Sequence, residues 1–279
     1  MSLWEAFVAL ILGLVEGITE FAPVSSTGHM IIVDDFLFQT NKMFSPEVAV
    51  TFKIVIQLGS ILAVVVLMRD RFLNLLGLKK IPGQTTTGPR LNLGQVIVAL
   101  IPAGVLYLLL DDLVDTYLFS TQTVVIGLVL GAILMIIADR FGPREPKTVS
   151  VDQITYKQAF IVGLIQCLSM WPGFSRSGST ISGGVLLGMK HRTAADFTFI
   201  MAVPIMAGVS FFSLLKNWDS ITSEVIPFII VGFISAFVFA LISIRFFLKL
   251  INRIKLVPFA LYRIVLAALI YFVFLLPIF

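Results

Sequence analysis

Two stretches of this chain, 150 residues apart, repeat one pattern of glycines and polar residues: GLVEGITEFAPVSSTGH over 13–29 and GLIQCLSMWPGFSRSGST over 163–180. Gly13 aligns with Gly163, Leu14 with Leu164, Ser25 with Ser175 and Gly28 with Gly178. The surrounding sequence constrains what the repetition can mean. Of 279 residues, 58% are hydrophobic and 13% are charged, where a soluble domain carries about 25% charged residues. A chain this apolar is a polytopic membrane protein, with little left over for a soluble domain. In lipid, backbone that leaves a helix must be satisfied by protein or by a polar cavity. Each ionisable group at mid-membrane costs roughly 2.5–3.5 kcal/mol on insertion scales and is functional by default. Paired polar breaks in apolar helices are where membrane proteins of this build place their ligand site.

Segments of about 20 apolar residues are long enough to cross a bilayer. The sequence predicts full spans near 47–68, 93–110, 121–139, 193–215, 225–247 and 257–277. Two further segments break. Residues 3–22 stop at Pro23, and the stretch after it is short and carries Asp34 and Asp35; residues 156–171 stop at Pro172-Gly173, and the next apolar run ends at Lys190. Each reads as a helical hairpin, 3–38 and 156–190, that enters and leaves on one face. Fifteen of the 20 Lys and Arg residues fall in 69–92, 140–157, 190–192 and 245–255. A six-span layout puts all of these on one side, which the positive-inside rule makes cytoplasmic. The opposite loops hold Asp111, Asp112 and Asp115, and Lys216, Asp219 and Glu224. Each half is one hairpin plus three spans, and an odd number inserts the second half upside down. The expected fold is thus an all-α polytopic membrane protein, one integral membrane domain over 1–279. It is an inverted-topology repeat of six full transmembrane helices plus two re-entrant helical hairpins, with a first repeat over 1–140 and a second over 156–279. Both termini are expected outside, and 82–92, rich in Gly, Pro and Thr, as a cytoplasmic loop. No cleaved signal peptide is expected, since the N-terminus lacks a basic region and carries Glu5. Cys167 is the single cysteine, so no internal disulfide can form. The net charge of +4 is spread over loops and does not point to nucleic acid.

Glu16 and Glu20 are four residues apart and share a helix face. Two carboxylates near mid-membrane suggest a bound cation or a raised pKa on one of them; a structural ion pair is the plainer alternative. The second copy has Gln166 and Met170 there, so the carboxylates belong to one half only. Ser25-Ser26-Thr27 follows Pro23 and precedes an apolar run, an N-cap signature whose backbone N–H groups favour an anion. His29 lies three residues after Ser26 and could move protons for it, or could be a hydrogen-bonded core residue. Ser175-Arg176-Ser177-Gly178-Ser179-Thr180 is a second helix start of the same kind, with an arginine suited to a bidentate grip on phosphate. Together the two starts predict a site for a phosphate or diphosphate at mid-membrane. Lys53 is expected to snorkel, Asp196 and Arg263 to sit near span ends, Gln57 to line the cavity or bond a neighbouring helix, and Pro204 to kink its helix.

EGITEFAPVSSTGHMIIV followed by PGFSRSGSTISGG resembles the undecaprenyl-diphosphate phosphatase family, also called the bacitracin-resistance family, and the likeness runs through AVTFKIVIQLGSILAVVV and FLKLINRIKLVPFALYRIVLAALI. The resemblance implies an enzyme of the bacterial plasma (inner) membrane that hydrolyses undecaprenyl diphosphate to undecaprenyl phosphate. That reaction recycles the lipid carrier of cell-wall synthesis and opposes bacitracin. It implies an active site open to the outside and a divalent cation, Mg²⁺ or Ca²⁺, with Glu16 and Glu20 as ligands. By the same resemblance Ser26 is the nucleophile, His29 a proton-transfer residue, Glu20 a base and Arg176 the diphosphate clamp. Ser25, Thr27, Ser175, Ser177 and Thr180, with Glu16, would line the substrate site. Whether Ser26 or a water attacks is open, and so is the oligomeric state, a homodimer being one option. A lipid-phosphate flippase or secondary transporter could use the same inverted-repeat anion site. It would not need a serine, a histidine and two carboxylates to converge, which favours the enzyme.

Overall fold

The computed structural model describes residues 1–80, 88–118 and 120–276, and among them the regular structure is helical. Residues 81–87 of the expected 82–92 loop lie outside the described residues, as do the side chains of Asp111, Asp112 and Asp115. The chain begins with α1 (Leu3–Thr19) and α2 (Ser26–Met30), which runs on into a π-helical stretch, Ile31–Phe38. Next come α3 (Thr40–Met43), α4 (Pro46–Leu67), α5 (Arg69–Leu75), α6 (Leu93–Tyr117) and α7 (Thr121–Phe141). The second half is α8 (Tyr156–Gln166), α9 (Arg176–Leu186), α10 (His191–Lys216), α11 (Ile226–Ile254) and α12 (Val257–Ile270), the last continued by a π-helical turn. Among the described residues six segments are long and apolar enough to cross a membrane: Pro46–Leu67, Leu93–Leu110, Thr121–Phe141, His191–Lys216, Ile226–Ile254 and Val257–Leu275. Their bounds match the six predicted spans to within two residues, except that Ile226–Ile254 runs seven residues past the predicted 247; each is bounded by caps, prolines or charges the sequence displays. Ser45 caps α4 ahead of Pro46, and Ser120 with Thr123 forms a capping box on α7.

The two broken segments are shorter. α8 and α9 have 11 residues each, about 16 Å of helix against a hydrocarbon core of about 30 Å. Their outer ends are tied together: Gln158 Nε2 donates to Thr148 Oγ1 (3.0 Å) and to the Leu187 carbonyl (3.1 Å). The first segment closes with aromatic rings, Phe38 lying edge-on to Trp4 (5.8 Å) and to Phe7 (6.2 Å).

Why glycine recurs at 13 and 163 is now evident. α1 packs on α11, and α8 packs on α6. A Cβ at Gly13 would stand 2.4 Å from the Gly232 carbonyl oxygen, and one at Gly163 would stand 2.2 Å from that of Ala99. Lipid supplies no hydrophobic drive between helices, so close backbone approach through small residues carries the association. Ser235 and Ser243 of α11 add hydrogen bonds to the carbonyls of Leu10 (2.7 Å) and Ile18 (2.9 Å).

Cations from the basic segments meet around a second cavity of about 720 Å³, lined by Arg69, Arg71, Lys79, Lys80, Arg192, Arg245 and Lys249 together with Asp70 and Asp196. Arg71 also pairs with Asp152 at 2.7 Å, joining the 69–92 and 140–157 segments. Lys53 has partners the sequence did not indicate: its ammonium pairs with Asp34 (2.7 Å) and Asp35 (2.8 Å). Asp34 is buried and also accepts from the Thr40 N–H and hydroxyl. The pairs anchor the π-helical stretch Ile31–Phe38 to α4.

Candidate active site

Both signatures turn by the same backbone device. After Pro23 in one and Pro172-Gly173 in the other, Ser25 and Ser175 each adopt φ 72°, a left-handed conformation that costs a non-glycine residue about 1–3 kcal/mol. Each then caps the outgoing helix, Ser25 Oγ accepting from Gly28 N–H (3.3 Å) and Ser175 Oγ from Gly178 N–H (3.2 Å). The strain holds because both ends of each turn are pinned. The residue after each strained serine opens its helix: Ser26 in α2 and Arg176 in α9. The repeat therefore delivers a hydroxyl and a guanidinium to equivalent positions in its two halves.

Glu20, at the end of α1, joins them. Its Oε2 accepts from Ser26 Oγ at 2.7 Å, and its Oε1 takes Arg176 Nη2 at 3.0 Å. Both members of the ion pair are largely buried, where the pair attracts strongly but must be fully hydrogen-bonded to persist. Arg176 completes its shell with Nη1 on the Thr198 carbonyl (3.4 Å) and its guanidinium 5.7 Å from the Phe21 ring centroid. Glu16, one turn before Glu20, is 5% exposed. Its Oε1 has no hydrogen-bond partner.

A cavity of about 700 Å³ opens at this triad. Its polar end is formed by Glu20, Ser25, Ser26, Thr27, Ser175 and Arg176, and Gln57, Gln166 and Pro204 also line it. The rest is an apolar slot between α6 and α10, with Ile101, Val105 and Leu108 on one wall and Met206, Val209 and Phe212 on the other. Ile101, Val105, Leu108 and Phe212 are also surface-exposed, so the slot opens sideways where lipid would be.

Other predicted site residues stand behind this surface. Ser177 is buried and its Oγ donates to the Ala22 carbonyl (3.2 Å), tying the second turn to the first. Thr180 donates to the Arg176 carbonyl (2.8 Å) and receives the Thr198 hydroxyl (2.8 Å). Each is turned from the cavity by its position on α9. His29 makes no hydrogen bond to Ser26. Its Nδ1 bonds the Ser25 carbonyl (2.8 Å), and its Nε2 bonds the Tyr262 hydroxyl (2.6 Å) in a stacked pair. A carbonyl only accepts, so in the neutral ring Nδ1 carries the proton and Nε2 accepts from the tyrosine.

Arg263, the seventh residue of the Val257–Leu275 span and so under two turns from its start, is fully buried. Its Nη2 donates to the carbonyls of Gly173 (2.9 Å), Phe174 (2.8 Å) and Gly127 (3.2 Å). Those carbonyls belong to the turn that strains Ser175 and to the helix packed beneath it. Neighbouring residues of α12 thus brace both signatures, Tyr262 through His29 and Arg263 through the Gly173 turn. An arginine inside an apolar span was the available signal for this role; Tyr262 and Thr198 gave none, being ordinary span residues in sequence.

The family model of bacitracin resistance protein BacA matches residues 9–269. The chain is 67% identical over 274 residues to the undecaprenyl-diphosphatase of Anoxybacillus flavithermus, covering 98% of this chain and 99% of that one. It is 68% identical over 275 residues to that of Geobacillus sp. strain WCH70 (98% and 100% covered) and 63% over 270 residues to that of Bacillus subtilis (96% and 98% covered). With six helices long enough to span a membrane and a family match over nearly its whole length, this chain is a multi-pass membrane protein of the BacA bacitracin resistance family.

Proposed function

We propose that this protein hydrolyses undecaprenyl diphosphate to undecaprenyl phosphate and inorganic phosphate, recycling the lipid carrier and conferring bacitracin resistance. One observation carries the reading: Glu20 holds the Ser26 hydroxyl at 2.7 Å with one oxygen and Arg176 at 3.0 Å with the other, at the polar end of a slot suited to a prenyl chain. The terminal phosphate sits against Arg176 and the α9 N-terminus, which neutralise its charge. Ser26 Oγ attacks the phosphorus as Glu20 Oε2 takes its proton. The bond from phosphorus to the bridging oxygen breaks, and undecaprenyl phosphate leaves with that oxygen. Water then attacks the phosphorus of the phosphoserine, the bond from phosphorus to Oγ breaks as Glu20 returns its proton to Oγ, and inorganic phosphate departs carrying both hydrogens of the water. Most of the acceleration comes from positioning and electrostatics, as is general for phosphoryl transfer. His29 acts on the turn: its Nδ1–H fixes the Ser25 carbonyl, and so where Ser26 points.

A divalent cation fits this donor set. Among the described residues no three carboxylate, histidine or cysteine groups cluster, but a Mg²⁺ ion needs only one or two carboxylates when substrate phosphates complete its shell. Glu16, with its unpartnered buried oxygen, and Glu20 would hold it. Bound there, it would add charge neutralisation on the phosphates.

The same proposal includes the inverted repeat, 1–140 and 156–279, with re-entrant hairpins 3–38 and 156–190. The equal strained serines, and the matched packing of α1 on α11 and α8 on α6, support it. The basic cavity lies at Arg192; Arg176 meets the same helix at Thr198, about 9 Å along it, and the reaction cavity runs on from Pro204 to Phe212, away from the basic end. With the basic side cytoplasmic, the reaction centre and both termini face outward.

Purified protein in detergent, given undecaprenyl diphosphate and Mg²⁺, is expected to release inorganic phosphate. Detergent offers no second compartment, so a transporter would bind the lipid and release none. That outcome would replace the phosphatase with a carrier.

A further inference from the structure

Gln166 is the one residue lining the reaction cavity whose side chain is buried with neither polar atom bonded, among the described residues. It is 1% exposed, and Oε1 and Nε2 both lack partners. An unpaired buried amide costs about 1–3 kcal/mol in proteins. Leucine or methionine would fill the same volume without that cost. Its place in the fold narrows what could repay it. Gln166 ends α8, three residues after Gly163, where α8 lies against Ala99 of α6. α6 is also the wall of the apolar slot, through Ile97, Leu100 and Ile101. The amide therefore lines the cavity that holds Ser26 and Arg176, from a helix that packs on the α6 wall of the slot. It also occupies the position that Glu16 holds in the first half. A carboxylate there would repel a phosphate, whereas an amide offers two N–H donors and no charge.

We infer that Gln166 binds the diphosphate of the substrate through its lipid-proximal phosphate. Its Nε2 donates to a non-bridging oxygen while Arg176 and Ser26 engage the terminal phosphate. Gln166 is a substrate contact in this sense only if the cavity holds the diphosphate proposed above. The amide then sets register: a headgroup with two phosphates reaches from Ser26 to Gln166, and one with a single phosphate does not.

The test uses the full protein in detergent, with methylenediphosphonate and inorganic phosphate as uncleavable probes and thermal stabilisation as the readout. A hydrogen bond to a charged group corresponds to about 10–100-fold in affinity. The wild type is expected to bind the diphosphonate more tightly than phosphate by about that factor, and Gln166→Leu to bind the two alike. The variant is also expected to raise the KM for undecaprenyl diphosphate. Its unliganded melting temperature should hold or rise, because an unpaired amide has been removed; Gln166→Met provides an unbranched replacement should leucine fit poorly. A variant that keeps the diphosphonate preference, or a wild type without one, would overturn the inference and leave Gln166 a water-satisfied structural amide. A wild type that prefers diphosphonate but releases no phosphate from the lipid would sink the phosphatase while leaving the Gln166 contact in place.

Discussion

Glu20→Gln is expected to lower the turnover of phosphate release by about 10²–10⁴-fold, the usual contribution of a positioned general base, with the fold intact. Gln matches Glu in shape, so it can still meet Ser26 and Arg176, but its amide cannot accept the serine proton. The expected signature is a fall in kcat much larger than any change in KM. Ser26→Ala removes the other end of the same 2.7 Å bond and is expected to reduce release at least as far. The double variant should be no worse than the poorer single one, since groups that act as a unit are not additive. Steady-state kinetics on the four proteins decide it. If Ser26→Ala retained wild-type release while Glu20→Gln did not, the attacking group would be a water activated by Glu20. If both retained it, the Ser26–Glu20 pair would have no part in the chemistry.

Gly163→Val is expected to prevent stable folding, and Gly163→Ala to lower the melting temperature in detergent. Even the alanine Cβ would lie 2.2 Å from the Ala99 carbonyl oxygen, and backbone cannot swing aside as a side chain can. α8 and α6 must separate, at a cost of about 1–3 kcal/mol for overpacking, more for the two further methyl groups of valine. Gly13→Ala is expected to behave alike, as its Cβ would stand 2.4 Å from the Gly232 oxygen. Gly104 provides the contrast. A Cβ there meets nothing within 4 Å, so Gly104→Ala should hold or raise stability, alanine being about 1 kcal/mol the better helix former. Equal melting of Gly163→Ala and wild type would mean that the close approach of α8 to α6 does not hold the fold.

Much of the fold was legible because lipid imposes strict rules. Six helices appear where runs of apolar residues end in caps, prolines or charges, and the breaks appear at Pro23 and Pro172-Gly173. The roles of single charges were less legible. Lys53 reads as a snorkelling residue, and its pairing with Asp34 and Asp35, 19 and 18 positions earlier in the chain, is visible only in the packing. Arg263 reads as a residue near a span end, and that its guanidinium holds the Gly173 turn, 90 residues away, is visible only in the packing. Helical periodicity says which residues share a face within one helix and nothing about what faces them.

The candidate site divides along the same line. The sequence alone determined that two polar turns, one acidic and one with an arginine, interrupt an apolar chain, because composition and the 150-residue repetition are local facts. It also determined which side chains could do chemistry, because ionisable groups in lipid are few. Only the tertiary structure decided that Ser26 is paired with Glu20 and not with His29. His29 is three residues from Ser26 and Glu20 is six, but the strained φ of Ser25 folds the chain back so that the hydroxyl meets the carboxylate and the imidazole turns to Tyr262. Only packing, likewise, set Ser177 and Thr180 behind the cavity, brought Gln166 unpaired to its wall, and joined Glu20 to Arg176 across 156 residues. Contacts between distant segments depend on how whole helices lie against one another, and in this chain that is governed by close backbone approach at glycines such as Gly13 and Gly163.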